Sequence, residues 1–346
     1  MLLLLLACDR EPVLPDAPGN LTEGVFVLNE GQFMADNSSL SYYEISGGNI
    51  YHNLFYSANG NTRMGDVAQS MVISGDTAYI VINNSGKIWA IHTDTYEFIG
   101  KISGLTSPRY MQIVAPGKAY VTDLYAGKIH VIDPGSVSVS GEIDVRNPAG
   151  FPGQHSTERI LLHGNRAFVA CWSFDNKILV LDTGNDRITD SVEVTPQPNS
   201  MVMDRDGMLW VLSDGGFAGS PYGQEKAALT VIDPSDLSIK RVLNFNAMED
   251  SPVDLQTNPT ADSLYYLNGS VFKMAISDTR LPDEPLIRSR GRNIYSLGVD
   301  PVRGTVYLGD AVDFRQRGWV YRYQSSGVVI DSMRAGINPG FFCFKY

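Results

Sequence analysis

Apolar and polar residues alternate over short runs along most of the chain, and the runs end at Gly, Pro, Asp or Asn. Residues 128–136 read K-I-H-V-I-D-P-G-S, and residues 177–185 read K-I-L-V-L-D-T-G-N. Alternation of this period turns one face of a strand toward a core, and Asp-Pro or Asp-Thr closes the strand in a tight turn. No long stretch has a convincing helical pattern, so the sequence predicts an all-β protein.

One strand element recurs along the chain, as in G-D-T-A-Y-I-V at 75–81, P-G-K-A-Y-V-T at 116–122 and G-N-R-A-F-V-A at 164–170. Seven versions, 41 to 55 residues apart, each carry an aromatic marker residue. Together with the strands around it, this repeat length is typical of a four-stranded propeller blade. The markers are Phe26, Tyr79, Tyr120, Phe168, Trp210, Tyr265 and Tyr307.

The two ends of the chain predict how the ring closes. The first copy, beginning at Gly24, has no strand ahead of it, whereas residues 339–346 (P-G-F-F-C-F-K-Y) form a leading strand with no blade after it. Pairing the tail with the first copy removes two exposed sheet edges. We therefore predict one domain over residues 22–346: a seven-bladed β-propeller with four antiparallel strands per blade, closed by the C-terminal strand completing blade one.

The repeats resemble those of the YVTN-repeat, YncE-like seven-bladed propellers, in which a Y-V-T-like strand precedes a V-I-D-T or V-I-D-P turn. Y-V-T stands here at 120–122, and V-I-D-P stands at 131–134 and 231–234. The resemblance covers nearly the whole predicted domain. It fades in blade six, where M-A-I-S-D-T-R at 274–280 replaces the turn signature.

The N-terminus has the form of a lipoprotein signal. Residues 1–8 read M-L-L-L-L-L-A-C, an apolar run that ends in a small residue and Cys8, although a positively charged n-region is missing. Residues 9–21 are polar and contain Pro12, Pro15 and Pro18, which favour an extended flexible tether. We predict lipidation at Cys8; the alternative is a buried first strand with a chance cysteine.

Composition narrows the function classes. Of 346 residues, 43% are hydrophobic and 19% charged, the formal net charge is −11, and no 18-residue apolar run is present. These values exclude a disordered chain and a spanning helix. An acidic chain without a broad basic patch is a poor partner for nucleic acid, so none is expected.

In a four-stranded blade, the loop between strands two and three and the loop between blades emerge on one face. The longest loops fall there, at 29–39, 57–67, 146–158, 213–227 and 309–318. Long loops on a rigid scaffold are where binding groups are usually presented. Aromatic rings with polar neighbours suit a large amphipathic ligand, although several of them could instead plug the channel or pack between blades. The candidate ligand-binding residues are Phe33, Arg109, Tyr110, Tyr125, Trp172, Phe174, Phe217, Tyr222, Phe314 and Arg315.

Linear motifs of catalysis are missing. The five histidines have no metal-ligand spacing, and no G-x-S-x-G or C-x-x-C occurs. Cys171 and Cys343 are interpreted as buried small hydrophobes, although a disulfide between them is conceivable. We predict no catalytic residues, no metal and no resident cofactor, and hence a protein that is not an enzyme.

A lipoprotein signal joined to one YncE-like propeller resembles the BtuG-type cobalamin-capturing propellers. The resemblance implies an outer-membrane lipoprotein at the cell surface that captures cobalamin (vitamin B12) or a related corrinoid. It also implies delivery to a TonB-dependent transporter, with contact to the membrane only through the lipid. Two alternatives remain: a surface-layer or adhesion module that binds protein or glycan, and a propeller enzyme of the lactonase or quinoprotein-like type.

Overall fold

A computed structural model describes residues 23–346, which fold as seven antiparallel sheets around a central axis. The predicted all-β class is confirmed, since the described residues contain one five-residue helix, α1 (Leu54–Ala58). No helix among them is long and apolar enough to cross a membrane. The predicted signal at 1–8, with Cys8, and the tether at 9–21 lie outside the described residues.

Blades 1 to 4 each contain four strands. Blade 1 is β1 (Gly24–Asn29), β2 (Ser39–Glu44), β3 (Ile50–Tyr51) and the C-terminal β27 (Pro339–Lys345). Blade 2 is β4 (Ala68–Ser74), β5 (Thr77–Ile82), β6 (Lys87–His92) and β7 (Phe98–Ser103). Blade 3 is β8 (Pro108–Ala115), β9 (Lys118–Asp123), β10 (Lys128–Asp133) and β11 (Ser138–Asp144). Blade 4 is β12 (Thr157–His163), β13 (Arg166–Cys171), β14 (Lys177–Asp182) and β15 (Arg187–Glu193).

Blades 5 and 7 also have four strands, and blade 6 has three. Blade 5 is β16 (Pro198–Met203), β17 (Leu209–Ser213), β18 (Ala228–Ile232) and β19 (Ile239–Asn244). Blade 6 is β20 (Val253–Thr257), β21 (Ser263–Asn268) and β22 (Ser270–Ala275). Blade 7 is β23 (Ile294–Val299), β24 (Val306–Asp310), β25 (Arg317–Tyr323) and β26 (Val329–Ile337).

The aromatic markers form the cores between blades. All seven lie on the second strand of their blade, and none exposes more than 4% of its surface. Tyr79 of β5, for example, packs in one cluster with Met111 and Val121 of the next blade. Burial between neighbouring sheets explains why every repeat needs one large ring at this position.

The ring closes through β27, as the sequence predicts. This strand pairs with β1 in antiparallel register from Gly24 opposite Lys345 to Asn29 opposite Pro339. Its other side packs tightly on blade 7, where Ser296 Oγ donates a 2.6 Å hydrogen bond to the carbonyl of Pro339. A Cβ at Gly309 would stand 2.2 Å from that same carbonyl oxygen, so the last blade approaches the closing strand without room for a side chain.

Blade 6 departs from the four-strand pattern. Its fourth position is reduced to one bridge between Val271 and Ile287, in which each backbone N–H donates to the other residue's carbonyl, at 2.9 and 3.2 Å. The preceding segment contains Pro282 and Pro285. Proline has no N–H to donate to a ladder, so a continuous strand cannot form there.

We expect Gly309→Ala to destabilise the propeller by about 1–3 kcal/mol, because the new methyl group would overpack a contact between two backbones. The control is Gly141→Ala on the outer strand β11, where an added Cβ meets Val131 at an ordinary 3.6 Å. Chemical denaturation of both variants measures the difference. Equal stability of the two would contradict a tight closure at β27.

Candidate functional site

The long loops do gather on one face, which we call the loop face. Backbone hydrogen bonds join loops between blades to loops within blades. Val145 N donates to Gly127 O at 3.0 Å, and Gln197 N donates to Asp175 O at 2.8 Å. Every inner strand begins at this face, so the first residues of these strands surround the opening of the central channel.

The channel mouth, as we define it, is lined by polar and aromatic side chains from six inner strands and from the loop after β1. Two cavities, of about 570 and 320 Å³, share Glu30, Gln69, Arg109 and Tyr295 and therefore form one continuous opening. The residues that define the mouth are Glu30, Gln69, Arg109, Tyr110, Glu158, Arg159, Asn199, Asp254 and Tyr295.

Paired charges dominate the mouth. Arg109 binds Glu158 in a bidentate ion pair, with N–O distances of 2.6 and 2.8 Å. Arg159 donates to Asp254 at 3.2 Å and lies 4.2 Å over the ring of Tyr110. Burial raises the pKa of Asp254, and Arg159 opposes that rise. Because both arginines are held by carboxylates and rings, the mouth is rigid and its charges are partly neutralised in place.

Glu30 is the distinctive acid of the mouth. Burial raises its pKa to about 7, while a 2.9 Å hydrogen bond from the Tyr295 hydroxyl and the charge of Arg109 oppose the rise. The carboxyl therefore changes its protonation state near neutral pH. A group of this kind can act as an acid or a base under ordinary conditions.

A second group of side chains, the aromatic cluster, consists of Phe151, Phe174, Phe217 and Tyr222. Phe174 contacts the other three, with centroids 4.9, 5.9 and 5.4 Å away. Phe151, Phe217 and Tyr222 are 40%, 49% and 50% exposed. The rings come from three loops of blades 3 to 5, and a cavity of about 240 Å³ beside them contains Asn147, Asn176 and Gln197.

The loop at 213–227, which carries Phe217 and Tyr222, is held in a hairpin by backbone contacts. Glu225 N donates to Gly215 O at 2.9 Å, and Gly216 bridges Gln224. Gly215 has a φ of +80°, and a Cβ there would meet the Glu225 carbonyl oxygen at 2.3 Å. The loop can close only because this position is glycine.

Nine of the ten candidate residues fall into these two neighbouring areas. Phe33, Phe314 and Arg315 line the outer part of the mouth. Arg109, Tyr110 and Trp172 line its inner part. Phe174, Phe217 and Tyr222 belong to the aromatic cluster.

Two candidates are held by specific contacts. The Trp172 indole N–H donates to Asp214 at 2.9 Å. The Tyr125 hydroxyl lies 3.3 Å from Ser173 Oγ, and Tyr125 lines neither area.

Sequence reasoning missed the acids of the mouth, Glu30, Glu158 and Asp254, and the hydroxyl of Tyr295. A signal was present for three of them, because Glu158, Asp254 and Tyr295, like Arg109, each stand second in their inner strand. Long polar side chains at these positions lie near the axis and line the opening, because the other residues of the inner strands contribute to the cores between blades.

Three potential metal ligands also meet on this face. His155, Cys171 and Asp175 each place one ligand atom within 4.8 Å of the others. They come from different segments, so no spacing in the sequence predicted them. Cys171 and Cys343 are both free thiols, and Cys171 is fully buried, as interpreted from its sequence context.

The fold and the loop face define a seven-bladed β-propeller whose channel opens at a ring of polar side chains. The chain belongs to the family described as a domain of unknown function, DUF5074, whose model matches residues 23–337. No curated protein matches it.

Solved propellers are similar in fold. A quinonprotein alcohol dehydrogenase-like protein from Bacteroides thetaiotaomicron has a TM-score of 0.69 and 14% identity, over 94% of this chain and 78% of that one. The periplasmic gluconolactonase of Pseudomonas aeruginosa has a TM-score of 0.69 and 13% identity, over 94% of this chain and 99% of that one. AztD from Citrobacter koseri has a TM-score of 0.58 and 10% identity, over 94% and 99%.

These neighbours correct one expectation. The prediction that the chain is not an enzyme is wrong, because propellers of this shape include a gluconolactonase and a dehydrogenase-like protein. It rested on missing linear motifs, whereas a propeller assembles its mouth from residues far apart in the chain. At this level of identity the likeness itself shows the fold alone.

We expect Glu30→Gln to remove a pH dependence of stability. The folded pKa of Glu30, about 7, lies above the ordinary 4.5. The unfolding free energy that the buried, protonated carboxyl contributes is therefore fully present below pH 4.5 and is lost as pH rises through 7. Relative to the variant, the wild-type protein should therefore lose about 2–3 kcal/mol of unfolding free energy between pH 5 and pH 8. Urea unfolding of both proteins at these two pH values measures it, and a constant difference would contradict a buried acid.

Proposed function

We propose that the loop face captures a large amphipathic ring ligand, specifically a corrinoid, and that the ring of the ligand lies on the aromatic cluster. The observation that carries this proposal is the set of contacting rings from three loops, three of them 40% to 50% exposed. Contiguous exposed aromatic surface on a folded protein is typical of a recognition site. Aromatic side chains bury large apolar areas and dominate the energetics of such sites.

Polar groups beside the cluster match the edges of such a ligand. Asn147, Asn176 and Gln197 line the adjoining cavity, and amide side chains can pair with the amide substituents of a corrin ring. The exposed Arg315 at the edge of the mouth offers a cation to the phosphate of the nucleotide tail. Apolar area with a few placed polar groups is what a specific small-molecule site needs.

The rigidity of the face also favours capture. Two of the three loops that carry the cluster are fixed by backbone hydrogen bonds, such as His155 N to Val145 O at 2.9 Å and Glu225 N to Gly215 O at 2.9 Å. A preformed site has little conformational entropy to lose when the ligand binds. A scarce ligand can then be held tightly without any change of fold.

Anchoring and transfer complete the proposal. A lipid on Cys8 would tether the propeller to the outer membrane at the cell surface, and a TonB-dependent transporter would take the corrinoid from the loop face. Both steps rest on the resemblance of the sequence to cobalamin-capturing propellers. Binding of a glycan or protein by the same face is the alternative that the titration below separates.

Titration calorimetry of the full chain with cyanocobalamin should show saturable binding of one ligand. We expect Phe174→Ala, Tyr222→Ala and Phe217→Ala each to weaken it about tenfold or more, because loss of one aromatic contact costs roughly 1–3 kcal/mol. The control is Phe98→Ala, which removes an exposed ring from the outer strand β7. Absence of heat would refute corrinoid capture at the cluster. So would an affinity of the three test variants equal to that of the wild-type protein and the control.

Glu30 favours a second candidate, the hydrolysis of a lactone at the channel mouth. Its carboxylate can take a proton from a water that attacks the lactone carbonyl, and can return the proton to the ring oxygen as the C–O bond breaks. The product is the hydroxy acid. The raised pKa of about 7 suits both transfers, and a gluconolactonase is among the propellers of similar shape.

Assays of aldonolactones by pH-stat test this candidate. We expect the rate to rise with pH through about 7, as Glu30 loses its proton, and Glu30→Gln to lower kcat by about 100-fold or more. Glu193→Gln, on an exposed outer strand, is the control. Hydrolysis no faster than the spontaneous reaction, or full activity of Glu30→Gln, would rule it out.

A further inference from the structure

His155, Cys171 and Asp175 meet at the cavity beside the aromatic cluster, and the functions proposed above give none of the three a role. His155 Nδ1 lies 2.7 Å from Asp175 Oδ2, and the Cys171 sulfur lies within 4.8 Å of both. The His155 and Asp175 side chains are 17% and 10% exposed and line the cavity, whereas Cys171 is fully buried behind them.

The backbone fixes all three residues independently. His155 N donates to Val145 O at 2.9 Å, and Asp175 O accepts from Gln197 N at 2.8 Å. Cys171 ends β13 in register with Thr157 of β12. Two segments of a rigid scaffold, the loop before β12 and the end of β13 with the loop after it, therefore bring the three side chains together.

The hydrogen bond between His155 and Asp175 accounts for the positions of two of the three side chains. The thiol is the third. Its Sγ lies 3.9 Å from Val169 O, has a backbone hydrogen bond with Leu179 and packs in the core beside Val145. What points to a shared cation is its place within 4.8 Å of both members of the pair.

We propose that His155, Cys171 and Asp175 bind one Zn²⁺ ion, with the fourth position open to the cavity. One imidazole nitrogen, one thiolate and one carboxylate form a set of N, S and O donors that zinc accepts in tetrahedral geometry. Hard cations such as Mg²⁺ and Ca²⁺ prefer oxygen ligands alone. Three protein ligands with one open position are typical of a zinc ion that binds water or substrate.

The present spacing requires only a small adjustment. Bonds of 2.0–2.3 Å in a tetrahedron put ligand atoms about 3.5 Å apart. The His155–Asp175 contact at 2.7 Å must open by about 1 Å. Zinc then replaces the proton that the two side chains share, and the thiol loses its proton to solvent.

Cobalt(II) is the spectroscopic probe for the test, in the full chain carrying Cys8→Ser so that the thiol outside the described residues does not contribute. We expect one Co²⁺ per chain, a thiolate-to-cobalt charge-transfer band in the near ultraviolet, and displacement of that band by Zn²⁺. Cys171→Ser should abolish the band. Asp175→Asn should weaken Zn²⁺ binding by more than the roughly 10–100-fold that loss of an outer-shell partner costs.

Cys343→Ser, which removes the other free thiol of the described residues, is the matched control and should keep the band. Circular dichroism checks that each variant folds. If Cys171→Ser does not fold, His155→Gln and Asp175→Asn decide the outcome through Zn²⁺ calorimetry. Absence of the band in the parent protein, or its survival in folded Cys171→Ser, would overturn the proposal. A Zn²⁺ affinity of His155→Gln and Asp175→Asn equal to that of the parent protein would overturn it as well.

Discussion

Backbone pairing between β1 and β27 is the interaction on which the molecule depends. It joins the two ends of the described chain, and it also brings blade 1 beside blade 7. Glu30 follows β1, and its N–H donates to the carbonyl of Asn338 just before β27. The carboxyl of Glu30 then meets Tyr295 of blade 7, 265 positions away in sequence. The same closure that stabilises the ring therefore completes the channel mouth.

Crowding at the axis explains the chemistry of that mouth. Seven inner strands converge there, so a long side chain on one strand contacts a side chain one or two blades away. Opposite charges placed side by side, as in Arg109 with Glu158 and Arg159 with Asp254, satisfy each other where water is scarce. Glu30, whose hydrogen-bond partner is a neutral hydroxyl, has a pKa that burial raises to about 7. The convergence of the inner strands therefore produces both the neutralised ion pairs and the protonatable Glu30 on one face.

The blades, their order and their closure could be predicted because alternation and marker rings report burial locally, one repeat at a time. The aromatic rings of the loop face were also found in this way, although their division into two areas was not. The acids of the mouth could not be located, because their contacts join different blades, and neither could the His155–Cys171–Asp175 group, whose contacts join the loop before β12 to the segment that ends β13. The enzyme class was misjudged for the same reason, and blade 6 lost its fourth strand to prolines whose effect the repeat pattern conceals.

The single bridge that completes blade 6 has an evolutionary consequence. Residues 276–286 leave the sheet after β22 and return only at Ile287, so their length is not set by any ladder. Insertions and deletions in this segment leave the pairing of every other blade unchanged. This blade is therefore a place where the chain can change in length and present new surface while the sheets of the scaffold are kept.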